Sequence, residues 1–367
     1  MIAVAFSLAL AVLCGPQEEA AAVRAQESPA VADNWRTNAP GLVHAKVSEV
    51  AGQSVTTYLL ETSNEKRLKP TIVLAGVEPE SLDGVVPLLL DALRSDESRA
   101  KTLDAFRWVL VPDLCSWGLE EADLADAFPV GWMPPGLDTR GRRPTTPLAT
   151  AGSRAFAEWL IARPEIVALI ALDGPDRGGQ SSAEELCPLG ELLRNAEALR
   201  CVRNELDGGW LDFAREARGI PTLTRDETVE EPPFVRELFE FLGSLPRTSL
   251  ELSKVENLGT GMWQVDIEVT NHGRLPLVAL PGRGHDVPLL SFRGVRLLAL
   301  AARDDSRAEF TVVPVRGGAQ VLGDLAGGAR RTLRLVLETE GETGKLDVTL
   351  AGSRTGSSRL EVPLELQ

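Results

Sequence analysis

Three short apolar runs carry no polar break: LKPTIVLAG at 68–76, FRWVLVP at 106–112 and EIVALIAL at 165–172. A strand with one face in water alternates apolar and polar residues, so unbroken runs of this length belong to strands covered on both faces, as in a parallel sheet. Helical patterns lie between them. DGVVPLLLDALRSD follows a cap signal at Ser81 and Asp83, and in SRAFAEWLIAR the residues Ala155, Phe156, Trp159 and Leu160 recur at helical spacing. A further helical stretch is predicted over 184–217, then a short strand in RGIPTLTRDE and a closing helix in PFVRELFEFLG, with Pro233 near its first turn. This order predicts an α/β domain over 42–246: a mixed, largely parallel twisted sheet with helices on both faces.

Past Pro246 the period changes to two. Trp263, Val265, Ile267 and Val269 alternate with Gln264, Asp266, Glu268 and Thr270, and the pattern returns in Leu333, Leu335 and Leu337 and in Leu346, Val348 and Leu350. Short alternating strands divided by Gly and Asn turns predict a C-terminal all-β, immunoglobulin-like sandwich over 247–367. No internal repeat of fixed period is seen.

The chain opens with MIAVAFSLALAVLC, an apolar run too short for a mature membrane span, followed by small residues. Residues 1–25 therefore read as a signal peptide, with Val23 and Ala25 fitting cleavage before Gln26, and 26–41 as a leader. Cys14 before Gly15 raises lipidation, against which the bulky Leu13 weighs; an uncleaved N-terminal anchor is the other alternative. The expected location is periplasmic or extracellular, free or membrane-anchored through the N-terminus, with no transmembrane segment in the mature chain. Export permits a disulfide between Cys187 and Cys201, and buried thiols at Cys115, Cys187 and Cys201 are the alternative. With 38 Lys and Arg against 53 Asp and Glu, the formal charge of -15 repels phosphate backbones and argues against a nucleic-acid partner.

The most specific string is DLADAFPVGWMP at 123–134, followed by RPTTPLATAGSRAFAEWL. It resembles the zinc carboxypeptidases of A and B type, whose core carries Asp-Leu-Asn-Arg-Asn-Phe-Pro; Asp123, Leu124, Phe128 and Pro129 match in place. TIVLAG followed by VEPE resembles the family's Gly-x-His-x-x-Glu region, LVPD at 110–113 its strand ending in Asn-Pro-Asp-Gly, and GIPTLTRDE the strand that delivers its catalytic glutamate. The sandwich segment from KVENLGTGMWQVDIEV resembles the domain that follows the peptidase in some exported bacterial members. The resemblance spans about 42–290, and no single motif in it is intact.

What the resemblance implies can be checked position by position. Two histidines and a glutamate would hold zinc, a glutamate would act as base on the metal-bound water, and an arginine pair would grip the substrate carboxylate. Val77 stands at the first histidine position and Glu80 keeps the carboxylate, while the second histidine falls at or near Asp173. Ala125 and Asp126 replace the Asn and Arg of the carboxylate grip, the second reversing the charge. Asp226 occupies the base position, one methylene short, with Glu227 as the alternative register. The whole chain has three histidines, His44, His272 and His285, none of them between residues 45 and 271, and its sole tyrosine is Tyr58. Zinc, the family's cofactor, is therefore not expected here.

Other chemistries find less support. No GxSxG elbow occurs, and GPDRGGQSS at 174–182 lacks the Lys of a phosphate loop and reads as a solvated loop. His272 and His285 bracket a Gly/Pro-rich loop and read as turn residues. If Glu80, Asp173 and Asp226 converge they suit Ca²⁺ or Mg²⁺ better than zinc, though pairing with Arg225 is the simpler outcome. The reading is an exported carboxypeptidase-like protein without catalysis, binding peptides or cell-envelope components or serving as a scaffold. The alternative is an active hydrolase using a non-standard metal or a carboxylate site.

Overall fold

A computed structural model describes residues 42–60, 68–76, 82–119, 150–172, 221–225, 231–277, 288–315, 319–341, 343–352 and 354–365, with short pieces at 128, 148, 196, 199–201, 210–211 and 213–214. The signal peptide, the leader, Cys14, Cys187, Glu227 and His285 lie outside them.

The chain enters through a hairpin of β1 (Val43–Val50) and β2 (Gln53–Leu60). Its turn is Ala51–Gly52, with φ of 50 and 77, the positive values that a tight two-residue hairpin demands. Strand β3 (Thr71–Ala75) leads to helices α1 (Val85–Ser95) and α2 (Glu97–Asp104), and on to β4 (Arg107–Val111). A 3-10 turn over Cys115–Trp117 precedes α3 (Ala151–Ile161) and β5 (Ile166–Ala171). Two short strands, β6 (Leu199–Cys201) and β7 (Thr222–Arg225), and helix α4 (Glu231–Ser244) complete this part.

The seven strands form one sheet in the order β1-β2-β4-β3-β5-β7-β6. Its centre, β4-β3-β5-β7, is parallel, and β1, β2 and β6 run antiparallel to their neighbours. Every residue of β3 and β5 is buried, as unbroken apolar runs require. Alternate strand residues enter different cores. Ile72, Leu74, Trp108, Leu110 and Ile170 cluster with residues of α1, α2 and α4; Val73, Ala75, Val109, Val111 and Leu169 cluster with Ala155, Phe156, Trp159 and Leu160 of α3.

One of the expected helices is found in place and another needs correction. The helix expected in DGVVPLLLDALRSD is α1, with Gly84 at its N-cap position. Its sequence ends one helix and begins another: the Asp96 side chain accepts the N–H groups of Ser98 and Arg99 at 2.9 and 3.1 Å and starts α2. The helix predicted over 184–217 is broken by β6, whose Leu199, Arg200 and Cys201 pair antiparallel with β7. The buried Glu237 of α4 reinforces that strand by accepting the Leu199 N–H at 2.9 Å.

The remainder is β-structure: β8 (Thr248–Gly259), β9 (Met262–Asn271), β10 (Leu289–Arg293), β11 (Arg296–Asp304), β12 (Thr311–Val313), β13 (Ala319–Val321), β14 (Arg330–Glu338), β15 (Gly344–Gly352) and β16 (Gly356–Leu364). They make a four-stranded sheet, β13-β10-β15-β16, and a five-stranded sheet, β12-β11-β14-β9-β8. One apolar cluster draws on both, including Val265, Ile267, Leu335, Leu346, Val348 and Val362.

Buried Asn271 ties the end of α4 to these sheets. Its Oδ1 accepts the N–H groups of Arg247 and Gly273 at 3.3 and 3.1 Å, and its Nδ2 donates toward the carbonyls of Leu275 and Ala326 at 2.9 and 3.2 Å. The Leu275 N–H reaches back to the Ser244 carbonyl at 2.9 Å. A second tie joins Leu68, just before β3, to Ser357: the Leu68 N–H meets Ser357 Oγ at 3.1 Å, and the Ser357 N–H meets the Leu68 carbonyl at 2.8 Å.

Candidate functional site

The parallel strands end together. Ala75 of β3 is in register with Val111 of β4 on one side and Ala171 of β5 on the other, and Ala171 is in register with Thr224 of β7. Bonds continue past the ladder: the Gly76 N–H donates to the Val111 carbonyl at 2.8 Å, the Leu114 N–H to the Gly76 carbonyl at 3.1 Å, and the Leu172 N–H to the Ala75 carbonyl at 2.9 Å. Gly76, Leu172 and Arg225, the last described residues on these three exits, thus lie along one edge of the sheet. Val77, Asp173 and Asp226 follow them directly in sequence. Those three positions, with Glu80, Ala125 and Asp126, lie outside the described residues.

What surrounds the edge is described in part. Asp113, two residues past β4, accepts the Ser116 N–H at 3.0 Å through its side chain, and its carbonyl accepts the Ser116 hydroxyl at 2.7 Å, so it shapes the turn over Cys115–Trp117. Phe128, which matches the family motif, is fully buried; it stacks on Phe213 at 5.3 Å and meets the edge of Phe156 at 5.7 Å. Phe128 therefore belongs to the core beneath α3. Arg225 lays its guanidinium 5.0 Å from the Phe234 ring of α4, a cation–π contact.

No family model and no curated protein matches the chain. Solved structures similar to it include carboxypeptidases and metallopeptidases, and also a conjugative transposon lipoprotein from Bacteroides eggerthii and an archaellum stator protein from Sulfolobus acidocaldarius. A crystal structure of thrombin-activatable fibrinolysis inhibitor is 12% identical with a TM-score of 0.40, the match covering 57% of this chain and 71% of that one. The bovine inhibitor in complex with tick carboxypeptidase inhibitor is 14% identical with a TM-score of 0.37, covering 58% and 91%. A metallopeptidase candidate from Shewanella amazonensis is 12% identical with a TM-score of 0.32, covering 58% and 88%. Likenesses this weak assign no activity to this chain.

The sequence resemblance raises the question of zinc, which takes neutral imidazoles and carboxylates in its catalytic sites. His44 is exposed on β1, an edge strand separated from β3 by β2 and β4. At about 4.8 Å per strand, that is about 14 Å from the strand ends in question. His272 directly follows β9, its Nε2 2.8 Å from Ser249 Oγ. Val77 offers no donor atom. Glu80, Asp173 and Asp226 are a hard, all-oxygen set, so the donors do not fit the zinc centre that the resemblance implies. Among the described residues no group of three or more His, Cys, Asp or Glu side chains is placed to share a metal ion. Nor is any described helix long and apolar enough to cross a membrane.

The sequence reading passed over Arg247, Ser249 and Asn271. Only Asn271 carried a signal, as the first residue of an Asn-His-Gly turn, and that signal points to the surface, whereas the side chain is wholly buried.

Proposed function

We propose that this chain is an exported carboxypeptidase-like protein that binds peptides or cell-envelope components, or scaffolds them, without hydrolysing peptide bonds. In this reading 42–246 is one α/β domain with helices over both faces of its sheet, and 247–367 is an immunoglobulin-like sandwich carried behind it. The chain goes from β3 through α1 and α2 to β4 on one side and returns through α3 to β5 on the other, so the strand order reverses between β3 and β5, where ligands enter open α/β sheets. One observation carries the loss of catalysis. Of the two described histidines, His44 stands on edge strand β1 and His272 directly follows β9, positions from which neither reaches the ends of β3 and β5.

With Asp126 in place of the arginine grip, and with Asp226 and Glu80 beside it in the family arrangement, the cleft is negative. A second carboxylate within about 4 Å costs about 4 kcal/mol at an effective dielectric of 20, more than ordinary side-chain contacts return. Free peptide C-termini should therefore be excluded. Short peptides with free and with amidated C-termini, titrated into the unmodified chain and into Asp126→Arg, test this. The expected result is preference for the amidated or cationic peptide, a shift toward the free acid in Asp126→Arg, and hydrolysis in neither. Preference of the unmodified chain for the free carboxylate, or turnover, contradicts the reading.

A further inference from the structure

Arg247, between α4 and β8, is half-buried; its Nε is enclosed and makes no hydrogen bond, and no ion pair forms to it among the described residues. Its pKa is lowered by desolvation alone, with no carboxylate acting against that effect. An arginine stays charged under all ordinary conditions, so a guanidinium so placed lacks a counter-charge. Its neighbours are suited to a ligand that supplies one.

The β8–β9 ladder pairs Thr248 with Asn271 and Ser249 with Thr270, and the His272 N–H donates to the Arg247 carbonyl at 2.7 Å. Strand alternation puts Arg247 and Ser249 on one face, with Thr270 and His272 opposite them on that same face. This is the side away from the apolar core, because Leu250 and Val269 belong to the cluster. Ser249 Oγ lies 2.8 Å from His272 Nε2. The carboxylate of Glu268, further along this face, is taken by Arg330 at 3.1 Å, and exposed Glu251 follows two residues past Ser249. A guanidinium, a hydroxyl and an imidazole therefore share one patch with no acid paired to them.

We propose that Arg247, Ser249 and His272 form a binding site for an oxyanion, a phosphate or carboxylate group, on the outer face of the five-stranded sheet. Guanidinium is the donor that suits such a group, and hydroxyl and imidazole add bonds from the side. This site is separate from the strand-end cleft, and the proposal does not depend on the function assigned there.

The test uses the full-length mature chain at constant ionic strength, with inorganic phosphate and acetate as probes and imidazole resonances as the readout. The His272 signal, assigned by its loss in His272→Gln, is expected to shift saturably while that of His44 does not. Arg247→Gln is expected to weaken the apparent affinity about tenfold, the loss of one charge-assisted bond, and Ser249→Ala about threefold. Saturation by phosphate alone assigns a phosphoryl ligand, and saturation by acetate assigns a carboxylate. Saturation by neither, or undiminished binding in both Arg247→Gln and Ser249→Ala, overturns the proposal.

Discussion

Replacing Asn271 with Leu is expected to cost about 3–5 kcal/mol of unfolding free energy, the range for breaking a buried polar network. The side chain is fully enclosed, so no water is at hand to replace it. Removal would strand the N–H groups of Arg247 and Gly273 and the carbonyl of Leu275, each costing about 1–3 kcal/mol when buried and unpaired, while the Ala326 carbonyl keeps the Ala329 N–H at 3.2 Å. The neighbourhood cannot simply close up: a Cβ at Gly273 would lie 2.2 Å from the Leu245 carbonyl oxygen, so these chains already touch backbone to backbone. Asn271→Asp is a sharper variant, since it keeps the acceptor and turns two donors into a charge facing carbonyls. Urea unfolding followed by circular dichroism is the measurement. A loss under about 1 kcal/mol for both variants would show that the network contributes little.

The second large effect is expected at Gly152, in the first turn of α3. A Cβ there would stand 2.4 Å from the carbonyl carbon and oxygen of Gly118 and 2.7 Å from the Leu119 nitrogen. All three are backbone atoms, and Gly118 already holds a φ of 78 as it leaves the turn over Cys115–Trp117. Gly152→Ala must therefore push the helix start off that turn, which also moves Phe156 and Trp159, ring neighbours of Trp117 at 6.4 and 5.4 Å. Overpacking of this kind costs about 1–3 kcal/mol where a side chain can yield, and more where only backbone can. The expected result is a loss of about 3 kcal/mol with a changed tryptophan emission. Ala at Gly243, where a Cβ meets nothing within 4 Å, is the control and should leave stability nearly unchanged. Equal stability of the two variants would refute the close contact.

These positions mark what the sequence could tell. The buried strands β3, β4 and β5 were legible because an unbroken apolar run needs cover on two sides, and α3 because Phe156, Trp159 and Leu160 share a helical face. Strand β6 was not, since three residues are too few to show a period and its pairing comes from β7 and Glu237, far off in sequence. The β1–β2 hairpin was missed because β1 is an edge strand, mostly exposed and without an apolar run. Asn271 and Arg247 looked like turn and linker residues; burial of the first and isolation of the second arise only when α4, β8 and the turn after β9 pack together.

The candidate site divides the same way. The residue types at Val77, Asp173 and Asp126 are plain in the sequence, and their correspondence to histidine and arginine positions rests on the resemblance alone. That the exits of β3, β5 and β7 adjoin follows from a strand order, β4-β3-β5-β7, that no local pattern encodes.

The proposal at the centre of this account is that the chain works without the zinc its sequence resemblance implies, and elemental analysis of the purified chain after exposure to zinc and exhaustive dialysis tests it most directly. Less than about a tenth of an equivalent of zinc is expected, because retention through dialysis needs the tight binding that imidazole and thiolate ligands supply at structural sites. One equivalent of zinc, retained by the chain and lost on Glu80→Ala, would contradict it.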